Sequence, residues 1–199
     1  MIIRRYRTED FADVSEVCLR TAERGDDATG LYVSDDLMPD VFARPYVLFE
    51  PEFAFVLDDG QRVSGYILCA PDTERFVSRY RVEWLPVLSR KYSQVAHPPK
   101  SRDEHIRYLG LNPEYMLGPE VEQYPAHLHV DLLPALQRRG WGRALMQTLV
   151  AALREKGVPG LHLGMDPANI SARAFYDRLG FRELPSSKPD APRLGIDLR

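Results

Sequence analysis

Three arginines crowd a place where positive charge is disfavoured. Gln137-Arg138-Arg139-Gly140-Trp141-Gly142-Arg143 lies where a predicted strand ends and an amphipathic helix begins. A helix N-terminus carries free N–H groups and a partial positive charge, so cations gathered there call for an anion among them. The two glycines would let a phosphate approach the backbone closely. The turn is not a Walker A loop, because no Gly-Lys-Ser/Thr follows. It fits the dinucleotide fingerprint badly as well, with Leu145 at the third small position and His162 near where an acidic residue is expected. Further along, Asn169, Ala172 or Arg173, and Tyr176 recur at helical spacing and share one face, with Phe175 and Leu179 beside them to fill a core. A phenol there is a proton donor for a basic leaving group, or a half-buried aromatic that packs on a sheet.

A third set lies just before the basic turn. His127, His129 and Asp131 alternate with Leu128, Val130 and Leu132, so one face of that strand is apolar and the other carries two imidazoles and a carboxylate. Burying unpaired polar groups costs ~1–3 kcal/mol each. The stripe therefore suits a wet cleft, where an imidazole, or a carboxylate acting through water, takes a proton near neutral pH. A hydrogen-bonded structural network is the other reading. A metal reading lacks a visible fourth ligand.

The elements that position these groups follow from local pattern. Ile2 to Tyr6 reads as a strand, and Thr8-Glu9-Asp10 precedes a helical spacing of Phe11, Val14, Val17 and Cys18. Phe53–Leu57 and Arg62–Cys69, joined through Asp58-Asp59-Gly60-Gln61, read as a hairpin. From Pro71 to Pro125 the pattern loosens. Trp84, Leu85, Val87, Leu88 and Tyr92 suit one helix, and His97-Pro98-Pro99 ends what precedes it. So long a stretch must carry structure of its own. Strands over His127–Leu133 and Leu161–Met165 then alternate with helices over Gln137–Glu155 and Asn169–Leu179, before final strands at Phe181–Leu184 and Arg193–Leu198. Strand–helix–strand–helix–strand implies an α/β layer with a partly parallel sheet.

Composition sets the frame. The 199 residues are 44% hydrophobic and 28% charged, which fits one globular domain over 1–199 and excludes a disordered or fibrous chain. With 26 Lys+Arg against 29 Asp+Glu the net charge is −3, which argues against a nucleic-acid partner bound through a general positive field. Cys18 and Cys69 sit among apolar neighbours and read as small buried hydrophobes. Neither a signal peptide nor a membrane span is visible, so the expected setting is cytoplasmic, with no membrane partner.

At this point a resemblance becomes specific. Leu132-Leu133-Pro134-Ala135-Leu136-Gln137-Arg138-Arg139-Gly140-Trp141-Gly142 resembles the acetyl-CoA pyrophosphate loop of the GNAT N-acetyltransferase superfamily. Asn169-x-x-Ala172-x-x-Phe175-Tyr176-x-x-Leu179-Gly180-Phe181 resembles that family's second motif at matching spacing. The His-Leu-His-Val-Asp-Leu-Leu-Pro run and the long insertion before it are similar to bacterial relatives of the acetyltransferase-like C-terminal domain of O-GlcNAcase.

The resemblance implies a GNAT fold, a mixed central sheet flanked by helices with a long insertion before the cofactor-binding strand. It implies acetyl-CoA as cosubstrate and direct transfer of acetyl to an amine, small molecule or peptide, within a ternary complex. Backbone at Leu132 and Leu133 would pair with pantetheine and hold the oxyanion. Gln137, Arg138, Arg139, Gly140, Trp141, Gly142 and Arg143 would cradle the phosphates. Asn169, Ala172, Arg173, Phe175 and Tyr176 would line the cofactor arm, with Tyr176 as general acid. His127, His129 and Asp131 are the candidate bases, the histidines supported by a similar His-x-His strand in the arylalkylamine branch. The rival is a pseudo-acetyltransferase module that binds acetyl-CoA without turnover. Residues 71–126 are expected to cover the acceptor side of the cleft, with Tyr80, Trp84, Tyr92, Tyr108 and Tyr115 as aromatic wall and Arg75, Arg79, Arg81, Arg90 and Arg107 as positive charge. That aromatic surface suits a pocket or a homodimer interface equally.

Overall fold

The computed structural model describes residues 1–199. A single seven-stranded sheet has the order β1-β2-β3-β4-β5-β7-β6. Strands β1 (Ile2–Arg5), β2 (Ala54–Asp58), β3 (Val63–Ala70) and β4 (Ala126–Leu132) are antiparallel in sequence order. Strand β5 (Gly160–Gly164) runs parallel to β4. The short β6 (Arg182–Glu183) ends the sheet, paired antiparallel to β7 (Arg193–Asp197), which is itself antiparallel to β5. The expected parallel character thus reduces to one strand pair. The hairpin between β2 and β3 turns where the Asp-Gly signal places it, with Gly60 at φ +94° and the Asp58 carboxylate accepting its N–H at 2.7 Å.

Both faces of the sheet are covered. One carries α1 (Phe11–Leu19), α2 (Leu37–Phe42), α3 (Arg44–Phe49), α4 (Thr73–Arg79), α5 (Leu85–Lys91) and α6 (Arg102–Leu111). The other carries α7 (Trp141–Glu155) and α8 (Ile170–Arg178). Strand β3 is buried at every residue because Tyr66, Leu68 and Ala70 enter the first core while Ile67 and Cys69 enter the second. Cys18 and Cys69 are free and buried. Gly65 faces Leu132 across β3 and β4, and a Cβ there would overlap the tip of the Leu132 side chain and lie 3.0 Å from Asp131 O, so any larger residue would force that side chain to move. No helix is long and apolar enough to cross a membrane.

The segment 71–126 folds as α4, a π-helical turn (Tyr80–Trp84), α5, α6 and a 3₁₀ turn (Pro113–Met116). It lies on the His127 side of the sheet, where the Phe76 ring is 5.4 Å from the His127 ring. Its aromatic residues do not form the open wall that composition suggested. Tyr80 and Tyr92 are buried in the core. Tyr80 donates its hydroxyl to Gly110 O at 3.0 Å, Trp84 donates to Asp40 O at 2.8 Å, and Tyr108 lies tilted against His97 with ring centroids 5.0 Å apart. Four of its five named arginines are spent on ion pairs, Arg75 with Glu50, Arg79 with Glu83, Arg81 with Glu114 and Arg107 with Asp103, while Arg90 is exposed and makes none. These partners lie far apart in sequence or across a helical turn, so composition alone could not assign them.

What docks this segment is Asp40 on α2. Its carboxylate, 4% exposed, accepts from Arg44 at 2.6 Å, Lys91 at 2.7 Å and Tyr92 at 2.8 Å. Without Asp40, Arg44 and Lys91 keep Asp36, each at 2.7 Å, whereas the buried Tyr92 hydroxyl loses its acceptor. Asp40→Ala is expected to lower unfolding stability by ~1–3 kcal/mol, the scale for leaving a buried hydrogen-bonding group without its partner. Urea denaturation checks this, and a loss of only about 0–1 kcal/mol, as for an exposed ion pair, would refute it.

Candidate active site

The sheet splits between β4 and β5. Their pairing covers only Ala126–Leu161 and His127–His162, whereas β4 stays in register with β3 from Ala70–His127 to Gly65–Leu132. Leu133 N–H donates to Ser64 O at 3.1 Å and so is committed to the β3 side. Alternation along an antiparallel strand then turns the backbone of Val130 and Leu132 away from β3, into the gap. Leu132 O in turn accepts from the Gln137 side chain at 3.1 Å.

Past β4 the chain makes a 3₁₀ turn (Pro134–Leu136), passes Arg138 at φ +59° and Gly140 at φ +88°, and enters α7 at Trp141. The first backbone bond of α7 runs from Ala144 to Gly140 O at 3.1 Å. Six consecutive N–H groups, Arg138 through Arg143, have no acceptor in the chain. The side chains of Arg138, Arg139 and Arg143 are exposed and free of ion pairs, whereas nearby Arg24 and Arg173 are paired with Asp166 and Asp177. Unpaired N–H groups and unpaired cations together are what binding an anion requires. Gly142 is held close: a Cβ there would lie 3.2 Å from Phe175 and 3.6 Å from Leu132, so α7 packs tightly on α8 and β4. The Gln137 amide is not free for a ligand. It donates to Leu132 O and to Gly25 O, both at 3.1 Å, tying the loop after α1 to the end of β4.

On α8 the predicted residues divide. Asn169 caps the helix, accepting from Ala172 N–H at 3.0 Å, and Arg173 pairs outward with Asp177 and Glu183. Ala172 and Phe175 lean on the second core. Tyr176 is 8% exposed, between the rings of Phe175 at 5.2 Å and Phe181 at 5.4 Å. Its hydroxyl has no partner in the chain, yet is not sealed from solvent. Burial, and then the nearby Asp131 charge, raise its pKa, so the phenol keeps its proton throughout the neutral range.

The polar stripe on β4 points into the α1–α6 layer, where its three members fare differently. His127 is buried with both ring nitrogens engaged, Nε2 to Tyr46 Oη at 2.8 Å and Nδ1 to Thr73 Oγ1 at 2.7 Å. Burial and the neighbouring imidazoles of His162 and His129 hold its pKa well below the usual histidine value. His129 Nε2 meets the same Tyr46 Oη at 3.1 Å, and burial lowers its pKa to about 4. Asp131 accepts from Tyr66 Oη at 2.6 Å. Burial raises its pKa to about 6, with the Tyr66 and Thr21 hydroxyls pulling the other way. A carboxylate titrating just below neutrality is matched to taking a proton at physiological pH.

Tyr46, Tyr66 and Thr73 were not legible as site residues. Tyr46 lies in α3, whose preceding segment buries Leu37 through Val41 consecutively and so shows no helical period. Thr73 follows Asp72, a helix N-cap signal that does not point toward a histidine fifty-four positions away.

Comparison with known proteins bears on this geometry. The acetyltransferase (GNAT) family model matches residues 26–181. The crystal structure of SsHAT is 50% identical, covers 100% of this chain and 98% of that one, and superposes with a TM-score of 0.91. Protein O-GlcNAcase of Rattus norvegicus is 24% identical over 186 residues, 92% of this chain but 20% of that protein. The [ribosomal protein bS18]-alanine N-acetyltransferase of Escherichia coli K12 is 44% identical over 50 residues, 25% of this chain and 34% of that one. The chain therefore spans only a fifth to a third of the length of these two curated relatives.

Asp131 gives a signed test. Its folded value of about 6 lies above the ordinary 3.8, so ionisation favours the unfolded chain: the penalty is absent below the ordinary value and complete above the folded one. Asp131→Asn, whose amide oxygen can still accept from Tyr66, is expected to raise the thermal midpoint at about pH 8 and to leave it unchanged near about pH 3. Calorimetric melting at both pH values checks this. An equal shift at both would show that the carboxylate's charge is not the cause.

Proposed function

Because the chain belongs to the acetyltransferase (GNAT) family, we propose that it transfers acetyl from acetyl-CoA to an amine by direct attack within a ternary complex. The observation that carries this reading is the run of six N–H groups without acceptors, Arg138 to Arg143, set among three unpaired arginines at the mouth of a split sheet. Those N–H groups would hold the pyrophosphate, and the Arg138, Arg139 and Arg143 side chains would reach it or the 3′-phosphate. The β4 edge at Val130 and Leu132 would pair with the pantetheine amides, as a missing strand would. Acetyl-CoA supplies an activated thioester.

The chain's own residues then have separable tasks. Leu132 N–H faces the gap and is placed to hold a developing oxyanion; Leu133 N–H, committed to Ser64, is not. As the amine nitrogen bonds to the acetyl carbon and the carbon–sulfur bond breaks, the amine's proton passes to Asp131, directly or through water. His127 has no free ring nitrogen and takes no proton. Tyr176 donates its hydroxyl hydrogen toward the leaving sulfur. Residues 71–126, on the His129 face, form the acceptor-side wall.

A second reading, an acetyl-CoA-binding module without turnover, draws on the low pKa that burial gives both histidines of the stripe and on the similarity to part of O-GlcNAcase.

Calorimetric titration with acetyl-CoA, followed by an amine screen that reads free thiol, separates the two. Binding with thiol release supports transfer; binding without release across the panel supports the module. Gly140→Asp sets a negative charge against the turn; a Cβ there meets nothing of the chain within 4 Å, and the cost is the local backbone strain of a side chain at φ +88°. It is expected to weaken acetyl-CoA binding sharply while the fold survives, and unchanged affinity would overturn the seat. Tyr176→Phe is expected to lower turnover by ~10²-fold, on the general-acid scale, with acetyl-CoA affinity retained. Unaltered turnover would remove Tyr176 from the reaction.

A further inference from the structure

The hydrogen bonds around His127 and His129 can be given directions, and the directions determine what His129 presents. Thr73 Oγ1 lies 2.7 Å from Pro125 O and 2.7 Å from His127 Nδ1. A carbonyl cannot donate, so the single Thr73 hydrogen goes to Pro125 O, and His127 Nδ1 must carry the hydrogen that Thr73 Oγ1 accepts. His127 is buried and neutral, so its Nε2 is a lone pair and accepts from Tyr46 O–H at 2.8 Å. With the Tyr46 hydrogen used, its oxygen is the acceptor for the remaining contact, and His129 Nε2 donates to it at 3.1 Å.

The hydrogen on His129 is therefore fixed at Nε2, and the lone pair is left at Nδ1. No group of the chain bonds Nδ1, and that atom is not sealed from solvent. His129 stands two residues beyond the last β4–β5 pair, where the strands part, on the same face as Asp131.

We propose that Thr73 and Tyr46 are positioning residues that lock His129 as the Nε2–H tautomer, so that its Nδ1 accepts a hydrogen bond from the acceptor amine and aims the nitrogen lone pair at the acetyl carbon. This rests on the amine-acetylation reading above. The chain of bonds orients and does not conduct. It terminates on the Pro125 carbonyl, which cannot carry a proton onward, so Asp131 remains the proton's destination. The lock also explains why a buried strand tolerates two imidazoles: each polar atom that faces the core has a partner.

Thr73→Val tests the proposal three hydrogen bonds away from the imidazole it concerns. Without the threonine oxygen, His127 Nδ1–H loses its acceptor. His127 is then free to carry its hydrogen on Nε2 and donate to Tyr46, which redirects the Tyr46 hydrogen to His129 and moves the His129 hydrogen to Nδ1. Nitrogen-15 NMR of the imidazoles in the free protein, assigned with His129→Gln, is expected to show Nε2–H for His129 in the natural protein and in Thr73→Ser, and an Nδ1–H population in Thr73→Val. With the amine substrate that the screen identifies, kcat is expected to fall about tenfold or more in Thr73→Val, in the direction seen when a catalytic imidazole is given the wrong tautomer. Acetyl-CoA KM should hold, and Thr73→Ser should restore turnover. Tyr46→Phe, which leaves both imidazoles without their shared partner, is the second variant and should also scramble the His129 tautomer. Nδ1–H in the natural protein, or a Thr73→Val spectrum and turnover both unchanged, would overturn the proposal. Failure of every amine to be acetylated by the natural protein would instead overturn the amine reading and the role assigned to Nδ1, while the spectra would still decide the tautomer.

Discussion

A strand bonded along its full length on one edge and for two residues on the other is an unfinished sheet. Strand β4 is that strand, and most of the architecture follows from keeping its free edge open. Sheet edges normally attract another strand or are blunted by charge. Here α7 and α8 stand on the face beside the gap, and Gly142 lets them close to contact distance of Leu132 without filling it. The turn before α7 extends the same condition past the strand, since its N–H groups are left without acceptors for six residues. A ligand carrying amides along an arm and anions at its end complements both parts at once.

The opposite face of β4 solves a different problem. Three ionisable side chains enter a layer lined by Val14, Val17, Phe76 and Tyr80, and each must find polar company there. Hydroxyls supply it: Tyr46 from α3, Tyr66 from β3 and Thr73 at the start of α4. Hydroxyls both donate and accept, so they satisfy imidazole and carboxylate without bringing a second charge into the core. The long segment before β4 is thereby an integral part of the first core. It brings Thr73 to His127, and its own position is fixed through Asp40.

The two halves of the chain were unequally legible. Over the last third, β4, α7, β5 and α8 alternate with clear period and punctuation, and the structure reproduces them to within a few residues, apart from the turn at Arg138–Gly140, which delays α7 to Trp141. The basic turn could be read as an anion seat because Gly140 and the arginines are adjacent in sequence. The stripe could be seen but not sorted, since what separates His127 from Asp131 is the identity of partners 81 and 65 positions away. Helices α2 and α3 escaped notice because they bury almost every residue, Pro39 and Pro45 included, and so carry no amphipathic signature. The aromatic residues of the insertion were visible, yet composition cannot tell a lining ring from a core ring.

The sequence holds two tryptophans, and the fold gives them unequal surroundings. Trp84 is moored, its indole N–H donated to Asp40 O at 2.8 Å within the knot that fastens α5 to α2. Trp141 opens α7, partly exposed between Gly140 and Gly142, in the middle of the six free N–H groups. A charged guest settling on that turn changes the field and the hydration around Trp141 and leaves Trp84 as it was. With an anion on that turn, as proposed above, Trp141 would serve as an optical gauge and Trp84, packed against the first core, as its internal reference.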